Sequence, residues 1–431
     1  MKKLLLYSSL LIFASCAIKK AQAPLAQNDV ERIIKTLSSD EMQGRAVFTP
    51  GIEKAARFIE DEFKQIGLEP MATQGSFRQE FSMMSIMPSS IEAKVNGLTL
   101  SNDQILVISD QESSNIITGN AEVHEIKAGE AFMQQFRTIV SHKKPVVVFV
   151  DAQFADAFNR VRQYYSGKRI VNATSDTPPA VFILGVESSK SYDINFKNSI
   201  TKMPLNNIAG IIPGKTKATE FVIFSGHYDH LGIIEADKGD SIANGADDDA
   251  SGITAVISLA RHYKKLNNNA RTLIFVAFTG EESGMLGSKY FSEQMNPDDV
   301  TAMFNIEMIG KESKFGKKAA FITGFDQSDF GEILQKNLVG TGFTFHPDPY
   351  KEQNLFYRSD NATLAALGVP AHTISTDKID VDKFYHTVKD ELETLDVENI
   401  KATIEAIALS SRGIVNGTET PRRIPPLKPR K

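Results

Sequence analysis

Two apolar runs in the middle of the chain each end in groups that could hold a divalent metal. Phe221-Val222-Ile223-Phe224 leads into Ser225-Gly226-His227-Tyr228-Asp229-His230, and Thr272 to Phe278 leads into Thr279-Gly280-Glu281-Glu282. Between them a polar loop closes in Gly245-Ala246-Asp247-Asp248-Asp249-Ala250-Ser251-Gly252. Glu307 interrupts a later apolar run, Ala302 to Ile309, and His386 stands in Phe384-Tyr385-His386-Thr387. Imidazole and carboxylate are donors that suit zinc. Bound zinc lowers the pKa of water from 15.7 to about 7. Two zincs bridged by one carboxylate can also hold a carbonyl oxygen under attack. The candidate ligands are His227, Asp248, Glu282, Glu307 and His386. A general base must stand beside the water without being consumed as a ligand, and the adjacent acids Glu281 and Glu282 can divide those roles.

Taken singly, these clusters have ordinary explanations. Three aspartates in a row suit a loop or a helix cap, and two glutamates suit an exposed helix start. Their positions argue otherwise, because each follows an apolar strand, and open α/β sheets place their chemistry at the carboxyl ends of strands. The remaining histidines carry weaker expectations. His230 reads as a loop residue near the site, and His372 as a core or pocket-wall residue within an apolar run. His124, His142, His262 and His346 read as ordinary.

The elements that must position this chemistry alternate between helix and strand. Asp29 to Leu37 has helical spacing, and Thr49-Pro50-Gly51 opens an amphipathic helix in which Ala55, Ala56, Phe58, Ile59, Phe63 and Ile66 share a face. Gly67 is placed to stop it. Ile253, Val256, Ile257 and Ala260 predict a helix straight after the triple aspartate. Phe330 to Leu338 reads as a helix, Leu364 to Ser375 as helix, turn and strand, and Asp396 to Ile414 as a terminal helix. The fold class expected is α/β, with a mixed, mostly parallel central sheet flanked by helices. Residues 85–200 differ: short β-like runs, Pro145 to Val150 and Ala180 to Leu184, flank one helical stretch, Ala152 to Tyr165. With no carboxylate–histidine cluster visible, this segment reads as a β-rich inserted accessory domain. It splits a catalytic domain into residues 29–84 and 201–417.

The termini carry addresses rather than chemistry. Lys2-Lys3 precede a short apolar run, so residues 1–15 read as a signal peptide. Phe13-Ala14-Ser15-Cys16 resembles a bacterial lipobox, with Phe13 where an aliphatic residue is usual. The rival cleavage site, Ala21-Gln22-Ala23, is followed by Pro24. Cys16 would then carry lipid, residues 16–28 would be a tether, and the protein would be an exported lipoprotein of the cell envelope. Cys16 is the only cysteine, which leaves no internal disulfide and no thiol ligand or nucleophile. The formal net charge of -5 gives no reason to expect nucleic acid as a partner. Residues 418–431 read as a basic, proline-rich, disordered tail.

The chain resembles the co-catalytic dizinc aminopeptidases, a family that includes bacterial leucyl aminopeptidases, glutamate carboxypeptidases and, more distantly, glutaminyl cyclases. The resemblance rests on Gly226-His227-Tyr228-Asp229-His230-Leu231-Gly232, the Gly245 to Gly252 loop, Phe275 to Glu282, Asn305-Ile306-Glu307-Met308-Ile309-Gly310 and Phe384 to Thr387. The early run Ser39 to Arg45 fits as well. The resemblance implies two zinc ions per chain and peptide substrates. His227 and Glu307 would hold one zinc, Glu282 and His386 the other, and Asp248 would bridge them; the bond from Asp248 to Asp249 is cis in relatives. Asp229 would orient His227, Glu281 would be the general base and Tyr385 would help hold the oxyanion. Within the family, carboxypeptidase or dipeptidase and glutaminyl cyclase are the alternatives to aminopeptidase, with a non-catalytic receptor-like protein a distant one. This sequence departs from the family pattern at three places: Glu307 stands where most relatives have aspartate, Asn361 where histidine is common, and Val388-Lys389 where a proline–acid pair is usual.

Overall fold

The computed structural model describes residues 25–71, 75–189 and 191–427. The signal-peptide and Cys16 expectations lie outside these residues, as do residues 17–24 of the expected tether and the last four residues of the tail. The chain forms two compact units, one of residues 81–204 and one of the remainder.

The larger unit is built on a mixed sheet. We label its strands β1 (Tyr192–Ile212, from residue 205 on), β2 (Lys217–His227), β3 (Arg271–Phe278), β4 (Val300–Ile306), β5 (Ala319–Ile322), β6 (Thr344–Pro347) and β7 (Ala371–Ser375). Their spatial order is β6-β5-β7-β4-β2-β3-β1. β2 lies at the centre, parallel to β3 on one side and β4 on the other, with Ile223 opposite both Ile274 and Met303. β1 and β5 run antiparallel to their neighbours β3 and β7. Buried parallel strands are covered on both faces, and their side chains alternate between them. Val222, Phe224, Leu273, Phe275 and Ala277 face one core. Ile223, Ile274, Val276 and Phe278 face the other.

The first core takes side chains from α1 (Gln27–Leu37), α2 (Pro50–Ile66), α3 (Gly252–Leu266) and α6 (Val397–Ser410). α2 begins with proline in its first turn and ends at Gly67, whose φ of 80° is the left-handed conformation a helix stop uses. The second core takes Phe291 from α4 (Leu286–Glu293) and Leu364 and Ala365 from the short helix Asn361–Ala365. α5 (Phe330–Asn337) places Phe330 and Leu334 in the first core.

Three sequence expectations need correction. β4 ends at Ile306 rather than running to Ile309, so Glu307 begins the loop beyond the strand. Residues 418–427 are packed, not loose: Ile424 is buried in the second core, and the Arg423 guanidinium donates to the carbonyls of Pro297 and Val300. The accessory unit holds two helices, Phe132–Ile139 and Ala155–Ser166, beside its four-stranded sheet of Ile105–Ile108, Ala180–Leu184, Val146–Val150 and Glu122–Ile126. The first of these was missed although Phe132, Phe136 and Ile139 carry helical spacing and all are buried.

Candidate active site

The carboxyl ends of the three central strands deliver most of the candidate groups. β2 ends at His227, Glu281 and Glu282 follow β3 by a tight turn, and Glu307 follows β4. The loop before α3 supplies Asp247, Asp248 and Asp249, all buried, and the Asp248–Asp249 peptide is cis. Asp249 holds these pieces in register. Its carboxylate accepts the main-chain N–H of His227 at 3.1 Å, Gly252 at 3.0 Å and Met308 at 3.2 Å. Position 252 must be glycine here, because an added Cβ would lie 2.1 Å from the Ile306 carbonyl oxygen. Asp247 turns away from the site and accepts the N–H of Gly310 at 2.7 Å, with Lys311 at 3.3 Å.

Asp248 is left to face the histidines. His227 Nε2 lies 3.1 Å from Asp248 Oδ1 and His386 Nε2 lies 3.3 Å from Asp248 Oδ2. His386 Nε2 is also 3.2 Å from Glu282 Oε1. Despite these distances, neither Nε2 atom is aligned in a hydrogen bond among the described residues. Donors that crowd together without bonding one another are the arrangement of ligands aimed at a common ion, and buried polar atoms otherwise find partners. The residues therefore fit a zinc site. Glu281, Glu307 and Tyr385 line the same cavity as Asp248 and Glu282. The five candidate ligands are thus gathered at one place from segments spread along the chain.

The charges agree with this fit. Burial opposes the His227 imidazolium, yet Asp248 and nearby carboxylates hold its pKa well above the ordinary value. Asp248 falls well below the carboxylate range because His227 and His386 outweigh its burial. Burial pushes Glu281 up to about 10, Glu307 to about 7 and Asp229 to about 6. The site thus buries more carboxylate than its own histidines balance, and a cation held there would supply the missing charge.

Asp229 acts differently from the expectation. The nearer partner of His227 Nδ1 is the carbonyl oxygen of Asp229, at 3.1 Å, while its carboxylate is at 3.8 Å. That carboxylate instead accepts the main-chain N–H of Glu281 at 3.1 Å and of Glu282 at 3.3 Å. It fixes the turn that carries both acids. Tyr385 stacks on His386 with ring centres 3.8 Å apart. Asn361 is fully engaged, donating to the carbonyls of Phe356 and Ala371 and accepting from Thr373. It is a structural residue behind the wall. His372 is a core histidine, with burial lowering its pKa to about 4.

His230 lies near the site as the sequence leads one to expect, and three further residues were not foreseen. His230 is buried with Nδ1 donating to Glu282 at 3.0 Å, 3.8 Å from Asp248. Asp390 accepts the main-chain N–H groups of Asp247 and Asp248. Arg45 is wholly buried, and its guanidinium donates to the carbonyls of Leu37, Tyr228, Asn244, Gly245 and Asp248. Asp360 is buried, with no hydrogen bond to either carboxylate oxygen among the described residues. Only Arg45 and His230 had a signal, since both fall within motif blocks. Asp360 and Asp390 are isolated acids in loops.

Residues 207–410 match the model of Peptidase family M28. Leucine aminopeptidase 1 of Ajellomyces capsulatus (strain H88) is 26% identical over 208 residues, 45% of this chain and 52% of its own length. A probable zinc metalloprotease of Pyrenophora tritici-repentis (strain Pt-1C-BFP) is 35% identical over 112 residues, 25% of this chain and 24% of its own. The chain thus spans about a quarter to a half of the curated relatives it matches. An aminopeptidase from Aneurinibacillus sp. strain AM-1 has a similar fold, with a TM-score of 0.54 at 18% identity, over 95% of this chain and 98% of that one. A zinc aminopeptidase from Bacillus subtilis gives a TM-score of 0.54 at 16% identity, over 93% and 98%.

Proposed function

We propose that the protein is a zinc-dependent aminopeptidase that removes N-terminal residues from peptides with two zinc ions per chain. The observation that carries this reading is the unbonded convergence of His227 and His386 Nε2 on Asp248 and Glu282 inside an acidic cavity. His227 and Glu307 would hold one ion, Glu282 and His386 the other, and Asp248, facing both histidines, would bridge. When bound, the pair lowers the pKa of water and polarises the scissile carbonyl.

The chain's own residues perform the rest. Glu281, fixed through its main chain by Asp229, takes the proton of the attacking water and returns it to the leaving amine. The hydroxyl of Tyr385 stays protonated, since burial raises its pKa. From the cavity wall it donates a hydrogen bond to the developing oxyanion. The cavity lining also includes Met308, Phe321, Leu355 and Ile379, which suit an apolar first side chain.

The balance of charge favours the amino end of a peptide. The cavity is lined by Asp248, Glu281, Glu282, Glu307 and Asp377 against one cation, Arg358. Arg358 is also the one observation that favours a carboxypeptidase, because a guanidinium is suited to a substrate carboxylate. A panel of peptides with free and blocked ends decides. Acetylation of the N-terminus should abolish cleavage and C-terminal amidation should not; the reverse pattern would transfer the assignment to carboxypeptidase. Chelation should remove activity along with close to two zinc ions per chain, and an active metal-free protein would sink the reading. We further propose that the protein is exported and anchored to a bacterial membrane by lipid at Cys16, on the support of the N-terminal pattern.

A further inference from the structure

The accessory unit contains a second place where imidazole and carboxylate meet, although no such cluster was visible in its sequence. Glu122 and His124 lie two positions apart on the edge strand Glu122–Ile126, so both project from one face. Ile126 on that face is buried in the core that also takes Phe132, Phe136 and Ile139 from the neighbouring helix. The turn after that helix then brings His142 to the same spot. Glu122 Oε2 lies 3.7 Å from His124 Nε2 and 3.8 Å from His142 Nδ1. The two rings stand 5.5 Å apart and steeply inclined, at 69°. A tetrahedral ion with bonds of about 2.1 Å holds its ligand atoms about 3.4 Å apart. Both carboxylate–imidazole separations are therefore within a few tenths of an ångström of that spacing, and all three ligand atoms lie within 4.8 Å of one another.

Two further observations separate this cluster from an ordinary surface ion pair. His124 Nε2 and His142 Nδ1 are both shielded from solvent, and among the described residues neither has a hydrogen-bond partner. Glu122 is meanwhile oriented by Lys144, whose Nζ holds Oε1 at 2.8 Å and leaves Oε2 facing the imidazoles. A carboxylate fixed through its other oxygen is the usual support of a metal ligand.

We propose that Glu122, His124 and His142 form a site for a borderline divalent cation such as Zn2+, separate from the catalytic ions. Two imidazoles and one carboxylate leave a fourth position for water, and the ion would pin the edge strand to the helix-end turn. The test uses the full chain with its catalytic zinc in place, equilibrated with Zn2+ and analysed for metal content. Wild-type protein should take up one more Zn2+ per chain than the His124→Ala/His142→Ala variant, while both hydrolyse peptide equally. Equal metal content in the two folded proteins would overturn the proposal. Should the double variant fail to fold, Glu122→Gln and His124→Gln serve in its place. Each should weaken Zn2+ binding at this site at least tenfold, and unchanged binding in both would equally overturn the assignment.

Discussion

Replacing Glu281 by glutamine separates the proposed base from the proposed ligand beside it. The substitution preserves shape and the main-chain bond to Asp229, but an amide cannot accept the proton of the attacking water. General-base catalysis contributes about 10²–10⁴ in rate. At 1.36 kcal/mol per decade that is roughly 3–5 kcal/mol of barrier. Glu281 makes no close approach to His227 or His386 comparable to the 3.2 Å between Glu282 and His386, so both zincs should remain. Glu282→Gln removes a charged ligand instead, and excess zinc should restore part of its activity. The assay is turnover of an N-terminal leucine amide substrate alongside zinc content, on both variants. Glu281→Gln should fall by two to four decades with metal retained. Activity near wild type would refute the mechanism, and loss of metal from Glu281→Gln but not Glu282→Gln would reverse the two roles.

Further outcomes follow from residues around the site. Arg45→Met should cost roughly 3–5 kcal/mol in urea denaturation, because it strips a buried guanidinium from five carbonyls; a loss below about 1 kcal/mol would contradict that role. His372 is held neutral by burial with a folded pKa of about 4 against 6.5 unfolded, so the unfolded chain binds the extra proton. Stability should therefore fall as pH drops from 6.5 towards 4, by up to about 3 kcal/mol from this residue. His372→Phe should flatten that part of the profile in paired denaturation curves, and identical slopes would refute it. Cys16→Ser should move the protein from the membrane fraction to the soluble one with turnover unchanged; continued membrane association would count against the anchor.

Much of this arrangement is legible in the sequence because the chemistry sits where strands end. Apolar runs before His227 and Glu281 mark buried parallel strands, and the motif blocks attach to them. The elements with strong periodicity, such as Pro50–Ile66, agree closely. What stays hidden is long-range. Nothing near Arg45 says that its guanidinium will serve carbonyls some 200 residues away, and nothing near Asp390 says that it will receive the amides of Asp247 and Asp248. Glu122, His124 and His142 escaped for the same reason: a helix intervenes, and only its packing brings the third residue back. Residues 418–427 were misread because proline and basic residues suggest disorder, while Ile424 among them is buried.

The run Asp247-Asp248-Asp249 has a consequence for how this chain can vary. As text the three letters are interchangeable. In the molecule that permutation symmetry is fully broken: one carboxylate serves Gly310 and Lys311, the next faces the histidines, and the third ties together His227, Gly252 and Met308. Loss of a single aspartate codon would leave a sequence still matching a loose acidic pattern. Yet three distinct tasks would fall to two residues, each displaced by one position from its partners. Such a repeat should tolerate point exchange unevenly along its length and length change nowhere.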